Sequence, residues 1–203
     1  IGKGMVYVFA WSFNVFRDDV SHFLYGGDEM DWLLLLPLET AVSVLKKARS
    51  FSLRDCECRI TYKNCDKPLR TCLAINEFSD ELTERGAAEQ ISFEEARKVL
   101  GIANEHGLVL QALYTDWLKG EVFDICSCCP CCCLYLRTVK NYGVKHHVAK
   151  SGLVAKVDSE KCNGCGICEP VCEYKAIVII QDPSNPDKRR AVINEGLCKG
   201  CGA

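Results

Sequence analysis

Cys162, Cys165, Cys168 and Cys172 stand in the run Cys-Asn-Gly-Cys-Gly-Ile-Cys-Glu-Pro-Val-Cys. Their spacing, C-x₂-C-x₂-C-x₃-C, is one that gathers thiolates around a cubane iron–sulfur cluster. That chemistry needs soft, deprotonated sulfur on a loop tight enough to bring three ligands to one corner. Gly164 and Gly166 allow the φ > 0 turns such a loop requires, and the same turns aim backbone N–H groups at the sulfurs. Zinc is the rival metal, but tetrahedral zinc sites favour two separated C-x₂-C knuckles. The fourth thiol, Cys172, is expected at the start of a short helix, facing away towards a second cluster.

The unit recurs. Residues 155–168 align with 191–203 at an offset of 36, placing Cys162 on Cys198, Gly164 on Gly200, Cys165 on Cys201 and Gly166 on Gly202. The partner of Cys168 would be residue 204, so the repeat predicts a polypeptide that continues further, and Ile at position 1 predicts an earlier start.

On these residues, 155–203 resembles a bacterial-type ferredoxin with two [4Fe–4S] clusters, over about a quarter of the chain. The resemblance implies that Cys162, Cys165 and Cys168 serve one cluster. It implies Cys172, Cys198 and Cys201 for the other, each set with one further ligand beyond residue 203. One position departs from the family pattern: Glu173 follows the fourth cysteine where proline is usual, and Pro170 lies before it.

Ten more cysteines precede this module: Cys56, Cys58, Cys65 and Cys72, then Cys126, Cys128, Cys129, Cys131, Cys132 and Cys133. Free cysteines often serve as small buried apolar groups. Six within eight residues would be an oxidation hazard without a chemical role. In an extended segment Cys126 and Cys128 share one face and Cys129 takes the other, while Pro130 ends the strand. One loop can thus feed two metal centres, each completed from the 56–72 array. All-thiolate ligation favours iron–sulfur here: two further clusters first, then one cluster with spare thiols, then zinc.

The same region resembles a poorly characterised group of anaerobe iron–sulfur proteins. In that group a Cys-x-Cys-Arg segment and a crowded cysteine loop precede a two-cluster ferredoxin domain. The matching residues are Cys56, Cys58, Arg59, Cys65 and Cys72, then 107–109 and 125–133. The resemblance implies one or two additional [4Fe–4S] clusters without naming a reaction.

The elements that must position these thiols are legible in outline. The fold class expected is α+β, with a small α/β cysteine-rich domain over 1–152 followed by a ferredoxin-like domain over 153–203. Strands are expected at 5–11, 108–113 and 121–125, and a strand or helix entry at 32–36. Pro37 opens a helix over 38–49, with Glu39 at its positive end and Lys46, Lys47 and Arg49 at its negative end. Residues 12–30 read as an irregular connection, and 73–78 as helix or strand. Ser92 and Glu95 form a capping box opening a helix to about His106, ended by Gly107. Phe93, Ala96, Val99, Leu100 and Ala103 form its buried face. Residues 134–152 read as a polar, partly helical linker carrying His146 and His147 as an exposed pair. The strands 176–180 and 190–193 form a hairpin joining the two cluster loops.

Composition bounds the partners. The chain has 203 residues with a net charge of −2, which lacks the basic footprint of a nucleic-acid binder. The helix over 92–106 sets Glu94, Glu95 and Glu105 against Arg97 and Lys98, not a recognition-helix pattern. No apolar run approaches the roughly 18 residues of a membrane span. Crowded thiols point to a reducing compartment, hence a cytoplasmic protein of an anaerobe or of an oxygen-protected complex. His22 and His106 read as surface or cap residues, Trp11, Trp32 and Trp117 as core, and Lys188, Arg189 and Arg190 as a solvated turn able to dock an acidic partner.

The expected function is single-electron relay through several [4Fe–4S] clusters, in partnership with a redox protein or oxidoreductase subunits in a larger complex. Two alternatives differ in class. One is an iron–sulfur enzyme whose cluster in 56–133 offers an open iron to substrate; the other is a redox regulator responding to cluster loss.

Overall fold

The computed structural model describes residues 6–9, 33–114, 121–142, 148, 150–183 and 185–202. The expectations for 12–30, His22, His146, His147, Trp11, Trp32 and Trp117 lie outside the described residues.

The element order is β1 (Val6–Phe9), β2 (Leu33–Leu36), α1 (Leu38–Leu45), β3 (Phe51–Asp55), α2 (Glu57–Tyr62), β4 (Arg70–Ile75), α3 (Asn76–Glu84), β5 (Glu89–Ile91), α4 (Phe93–Glu105) and β6 (Val109–Tyr114). It continues with β7 (Val122–Cys128), α5 (Leu134–Tyr142), β8 (Val154–Val157), α6 (Cys168–Val171), β9 (Ile177–Asp182) and β10 (Asn185–Ile193).

Six strands form one sheet in the order β2-β6-β7-β4-β3-β5, with every neighbouring pair antiparallel. The period-two alternation of its strands gives the sheet two different faces. One face carries Leu36, Leu73, Ile75, Leu110, Ala112 and Ile125, and buries them under Ala41 and Leu45 of α1 and Ala96, Leu100 and Ala103 of α4. The opposite face carries Leu35, Val109 and Cys128, covered by Cys133 and by Leu136 of α5. The mixed α and β content expected from the sequence is therefore present, with an antiparallel sheet.

Helix α4 begins as its residues require. The Ser92 side chain accepts from the Glu95 N–H, Glu95 accepts from the Ser92 N–H, and Gly107 ends the helix at φ +62°. Phe93 and Val99 pack partly against the core that Ala96, Leu100 and Ala103 enter fully.

Three boundaries differ from expectation. Helix α1 ends at Leu45 rather than Arg49. Tighter bonds from Lys47 N to Val44 O and Ala48 N to Leu45 O close it, and Arg49 is drawn away to Glu77 and Asp80 of α3. Strand β7 runs three residues past Ile125, to Cys128, because its edges pair with β6 and β4. Helix α6 precedes Cys172 instead of starting there, and Cys172 is its C-cap. Pro170 suits that single turn, where a missing N–H costs no helical bond.

Two further antiparallel pairs join β1, near the start of the chain, to β8, and β9 to β10. The β9–β10 hairpin joins the two glycine-rich loops, but its strands run further than expected, with a bulge between Asn185 and Arg189. Lys188, Arg189 and Arg190, expected as a turn, lie in β10, where Arg189 pairs with Gln181 and Arg190 with Ile180.

Candidate metal centres

In the glycine-rich repeat, four glycines adopt the left-handed conformation: Gly164 at φ +68°, Gly166 at +83°, Gly200 at +64° and Gly202 at +71°. At Gly164 a Cβ would collide with the backbone carbonyl of Arg189, and at Gly200 with Ser151 Oγ and the carbonyl of Leu153. No other residue type fits these two positions.

Backbone N–H groups face the sulfurs, from Ala191 to Cys162 Sγ at 3.5 Å and from Ala176 to Cys172 Sγ at 3.3 Å. A cavity of about 900 Å³ is lined by Cys162, Cys165, Cys168, Cys172, Cys198 and Cys201 together with apolar side chains of β9 and β10. Burial and the neighbouring thiolates of Cys162 and Cys165 push the Cys168 thiol up. A soft donor set, a cradle that admits only glycine and sulfur-directed N–H groups fit an iron–sulfur cluster.

The ten earlier cysteines lie on α2, β4 and β7 and on the segments next to them. They separate into two groups. Neighbouring thiols influence one another's protonation in a cycle, Cys56 with Cys58, Cys58 with Cys133, Cys133 with Cys128, Cys128 with Cys126, Cys126 with Cys72 and Cys72 with Cys56. This is a closed ring of six thiols.

Strand pairing builds it. Cys126 and Cys128 are alternate residues of β7, and Cys72 lies on β4, whose Leu73 pairs with Ile125. Cys56 is the N-cap of α2 and Cys58 lies in its first turn. Cys133 gives its carbonyl to the Arg137 N–H at the start of α5.

The second group is Cys65, Cys129, Cys131 and Cys132, whose sulfurs all lie within 4.8 Å of one another. Cys65 comes from the segment between α2 and β4, and the other three from the turn after β7. Among the described residues, all sixteen cysteines remain thiols.

The ring cannot lose all its protons unaided. Six thiolates in a buried ring would repel one another, and only Arg54 and Arg59 supply nearby positive charge among the described residues. Proton affinity accordingly differs between neighbouring thiols. Cys128 and Cys72 pull the Cys126 thiol well below the ordinary range, and Cys128 and Cys58 do the same to Cys133. The partners Cys58, Cys72 and Cys128 are pushed up, each first by the adjoining sulfur. Metal cations at the ring would allow full deprotonation.

Several polar residues around the thiols were invisible to motif reading. Arg59, 1% exposed, donates to Ser127 O at 2.8 Å and to Thr71 Oγ1, and reaches Cys129 Sγ at 4.0 Å. Desolvation opposes its charge, yet Cys56, Cys129 and Cys72 outweigh that and hold the guanidinium more firmly protonated. It stands between the two thiol groups.

Asp124, also 1% exposed, pairs with Arg54 and accepts from Cys126 Sγ at 3.7 Å. Burial and then the Cys126 thiolate push its carboxyl well up, against the pull of Arg54. Gln111, paired with Cys126 across β6 and β7, approaches Cys133 Sγ at 4.0 Å. Buried polar atoms among the described residues with no protein partner include Arg59 Nε, Ser127 Oγ and Tyr174 OH, all beside thiols. Of these, only Arg59 carried a signal in the sequence, as the residue following Cys58.

The repeat lies against the ring. Cys201 packs on the small apolar cluster that contains Cys128 and Cys133. Burial, then the thiolates of Cys201, Cys133, Cys128 and Cys172, raise the Tyr174 phenol, so its side chain lies between the two cysteine sets. Asn104 donates to Gly202 O at 2.9 Å, and Lys140 pairs with Glu173 at 2.6 Å. His106 is an exposed cap residue of α4, its Nδ1 2.8 Å from Ile102 O.

Comparison with known proteins bears on the repeat. A family model described as a 4Fe-4S binding domain matches residues 155–178. The chain is 41% identical over 49 residues to Ferredoxin-1 of Rhodobacter capsulatus, covering 24% of this chain and 65% of that protein. It is 63% identical over 27 residues to a heterodisulfide reductase A-like subunit of Archaeoglobus profundus, covering 13% of this chain and 4% of that protein. The chain thus spans less than two thirds of either relative. No solved structure matches it. These matches show a 4Fe–4S binding, ferredoxin-like domain near the C-terminal side, behind a cysteine-rich region whose thiols form a candidate metal site. Among the described residues no helix is long and apolar enough to cross a membrane.

Proposed function

We propose that this protein relays single electrons between the ferredoxin-like clusters and a polynuclear iron–sulfur centre in the six-thiol ring, as a component of a larger oxidoreductase complex. The observation that carries the reading is the packing of Cys201 against the apolar cluster of Cys128 and Cys133. It sets a thiol of the repeat against the same apolar cluster that holds two thiols of the ring. An iron–sulfur cluster, when bound, accepts and releases one electron with little change in shape.

The chain's own residues supply the environment. Arg59 offsets negative charge between the thiol groups, and the buried Tyr174 hydroxyl feels thiols of both cysteine sets. Leu35, Val109 and Leu136 exclude water from the contact. Membership of a complex is supported by the similarity to a protein named as a heterodisulfide reductase A-like subunit. The exposed apolar residues Ile167, Val171 and Leu197 on the ferredoxin-like part offer a docking face for a redox partner.

The test is iron and acid-labile sulfide analysis of the anaerobically purified full-length protein, joined to EPR after one-electron reduction. The reading expects iron beyond the eight atoms of two cubanes, and magnetic coupling between a ring signal and a ferredoxin-type signal that Cys126→Ser abolishes. Eight iron atoms with a metal-free ring would overturn it.

A further inference from the structure

The group formed by Cys65, Cys129, Cys131 and Cys132 differs in kind from the other thiols. Its Cys65–Cys129 and Cys65–Cys132 sulfur separations are 3.7 and 3.9 Å, and no pair in the group exceeds 4.8 Å. A zinc–thiolate bond of about 2.3 Å gives a regular tetrahedron with sulfur edges of about 3.8 Å. A cubane sets its thiolates on the outer corners of a four-iron core and so needs a wider frame. The protein supplies its own comparison: among the described residues, no three cysteines of the glycine-rich repeat gather so closely.

The donor set is complete as it stands. Four thiolates fill a tetrahedron, which is the closed arrangement of a structural zinc site rather than the open one of a catalytic site. A positive charge faces these sulfurs, since Arg59 reaches Cys129 Sγ at 4.0 Å. The Asn64 side chain donates to Cys131 O at 2.7 Å, tying the two contributing segments together at the site.

We propose that Cys65, Cys129, Cys131 and Cys132 hold a single zinc ion of their own, distinct from the iron–sulfur sites. Its role is to pin the turn after β7 to the segment after α2. With the turn pinned, Cys128 and Cys133, which flank the zinc ligands, face the ring. The proposal does not depend on electron relay, and the site would remain even if the ring held no iron.

The experiment is metal analysis and zinc-edge X-ray absorption on the full-length protein purified under reducing, anaerobic conditions. The expected result is one zinc per chain with four sulfur neighbours at about 2.3 Å. Cys65→Ala should bring zinc from one per chain to near zero while the sulfide of the ferredoxin-like clusters persists; Cys162→Ser should lower iron and leave zinc. Should Cys65→Ala not fold, cobalt exchanged into the unmutated protein should take up one equivalent with the absorption of a tetrahedral tetrathiolate. Absence of zinc, a single iron in its place, or loss of iron and sulfide on Cys65→Ala with zinc retained would each overturn the proposal.

Discussion

Cys128 and Cys129 are adjacent in the chain, yet their sulfurs belong to different groups. Cys128 contacts Cys126 and Cys133 in the six-thiol ring, whereas Cys129 lies 3.7 Å from Cys65 in the four-thiol group. The cause is the pleat: consecutive strand residues point to opposite faces, and β7 ends between the two. Cys129 accordingly joins the helix-side core, while Cys128 joins the cluster on the other face. A single loop thereby contributes to two groups of thiols.

Arg59 should tune whatever the ring holds. Replacing it with Met removes a buried positive charge and lowers the reduction potential of the ring centre. The expected shift is about 60–130 mV, equivalent to roughly 1.4–3 kcal/mol for one charged hydrogen-bonding group. An EPR-monitored redox titration reads it. An unchanged potential would reduce Arg59 to a packing role.

Tyr174 offers a finer probe of the contact between the two cysteine sets. Tyr174→Phe keeps the ring in place and deletes only the hydroxyl, so iron content should hold. The potential of any cluster that Cys172, Cys198 and Cys201 hold should fall by about 60 mV or less, the value of one modest hydrogen bond. Tyr174→Ala should instead cost about 3–5 kcal/mol through the cavity it leaves. Redox titration and chemical denaturation, run on both variants, separate the two effects.

Two glycine substitutions should move stability in opposite directions. Gly164→Ala forces a side chain into φ +68° against the Arg189 carbonyl. The conformation alone costs about 1–2 kcal/mol, and the collision should also lower iron content at Cys162, Cys165 and Cys168. Gly101→Ala lies in α4 with open space around its Cβ, and should stabilise by up to about 1 kcal/mol. Thermal unfolding with parallel iron analysis checks both.

Ser92→Ala should destabilise the protein by about 1 kcal/mol without changing metal content, since it removes the cap of α4 and nothing near a thiol. The Ser92 N–H and hydroxyl also hold the Glu95 carboxyl below its usual range. A depressed carboxylate contributes stability above its unfolded pKa and loses it as pH falls through the folded one. The difference between the unmutated protein and Ser92→Ala should therefore shrink below the ordinary carboxylate range. Denaturation at neutral and acid pH measures this.

The local chemistry was written in the order of residues. The C-x₂-C-x₂-C-x₃-C run and its half-copy around Cys198 and Cys201 identify cluster ligation, because ligand spacing on a tight glycine loop is a property of a few consecutive residues. The Ser92–Glu95 box and the Gly107 stop are equally local, and so is the alternation that sends Cys126 and Cys128 one way and Cys129 the other. Helix α1 fell short of its expected end because Arg49 prefers two acidic partners about thirty residues away, a preference no window of sequence contains.

How the ten front cysteines divide was beyond that reach. Cys65 meets Cys129 across 64 positions and Cys72 meets Cys126 across strands β4 and β7. Only the order of strands in the sheet, set by which apolar faces bury together, decides such pairings. The same holds for Arg59, an ordinary helix residue until the fold closes it between two sets of sulfur, and for Cys201 against Cys128 and Cys133. Spacing along the chain thus specified the kind of metal chemistry, and long-range packing decided how the thiols are grouped.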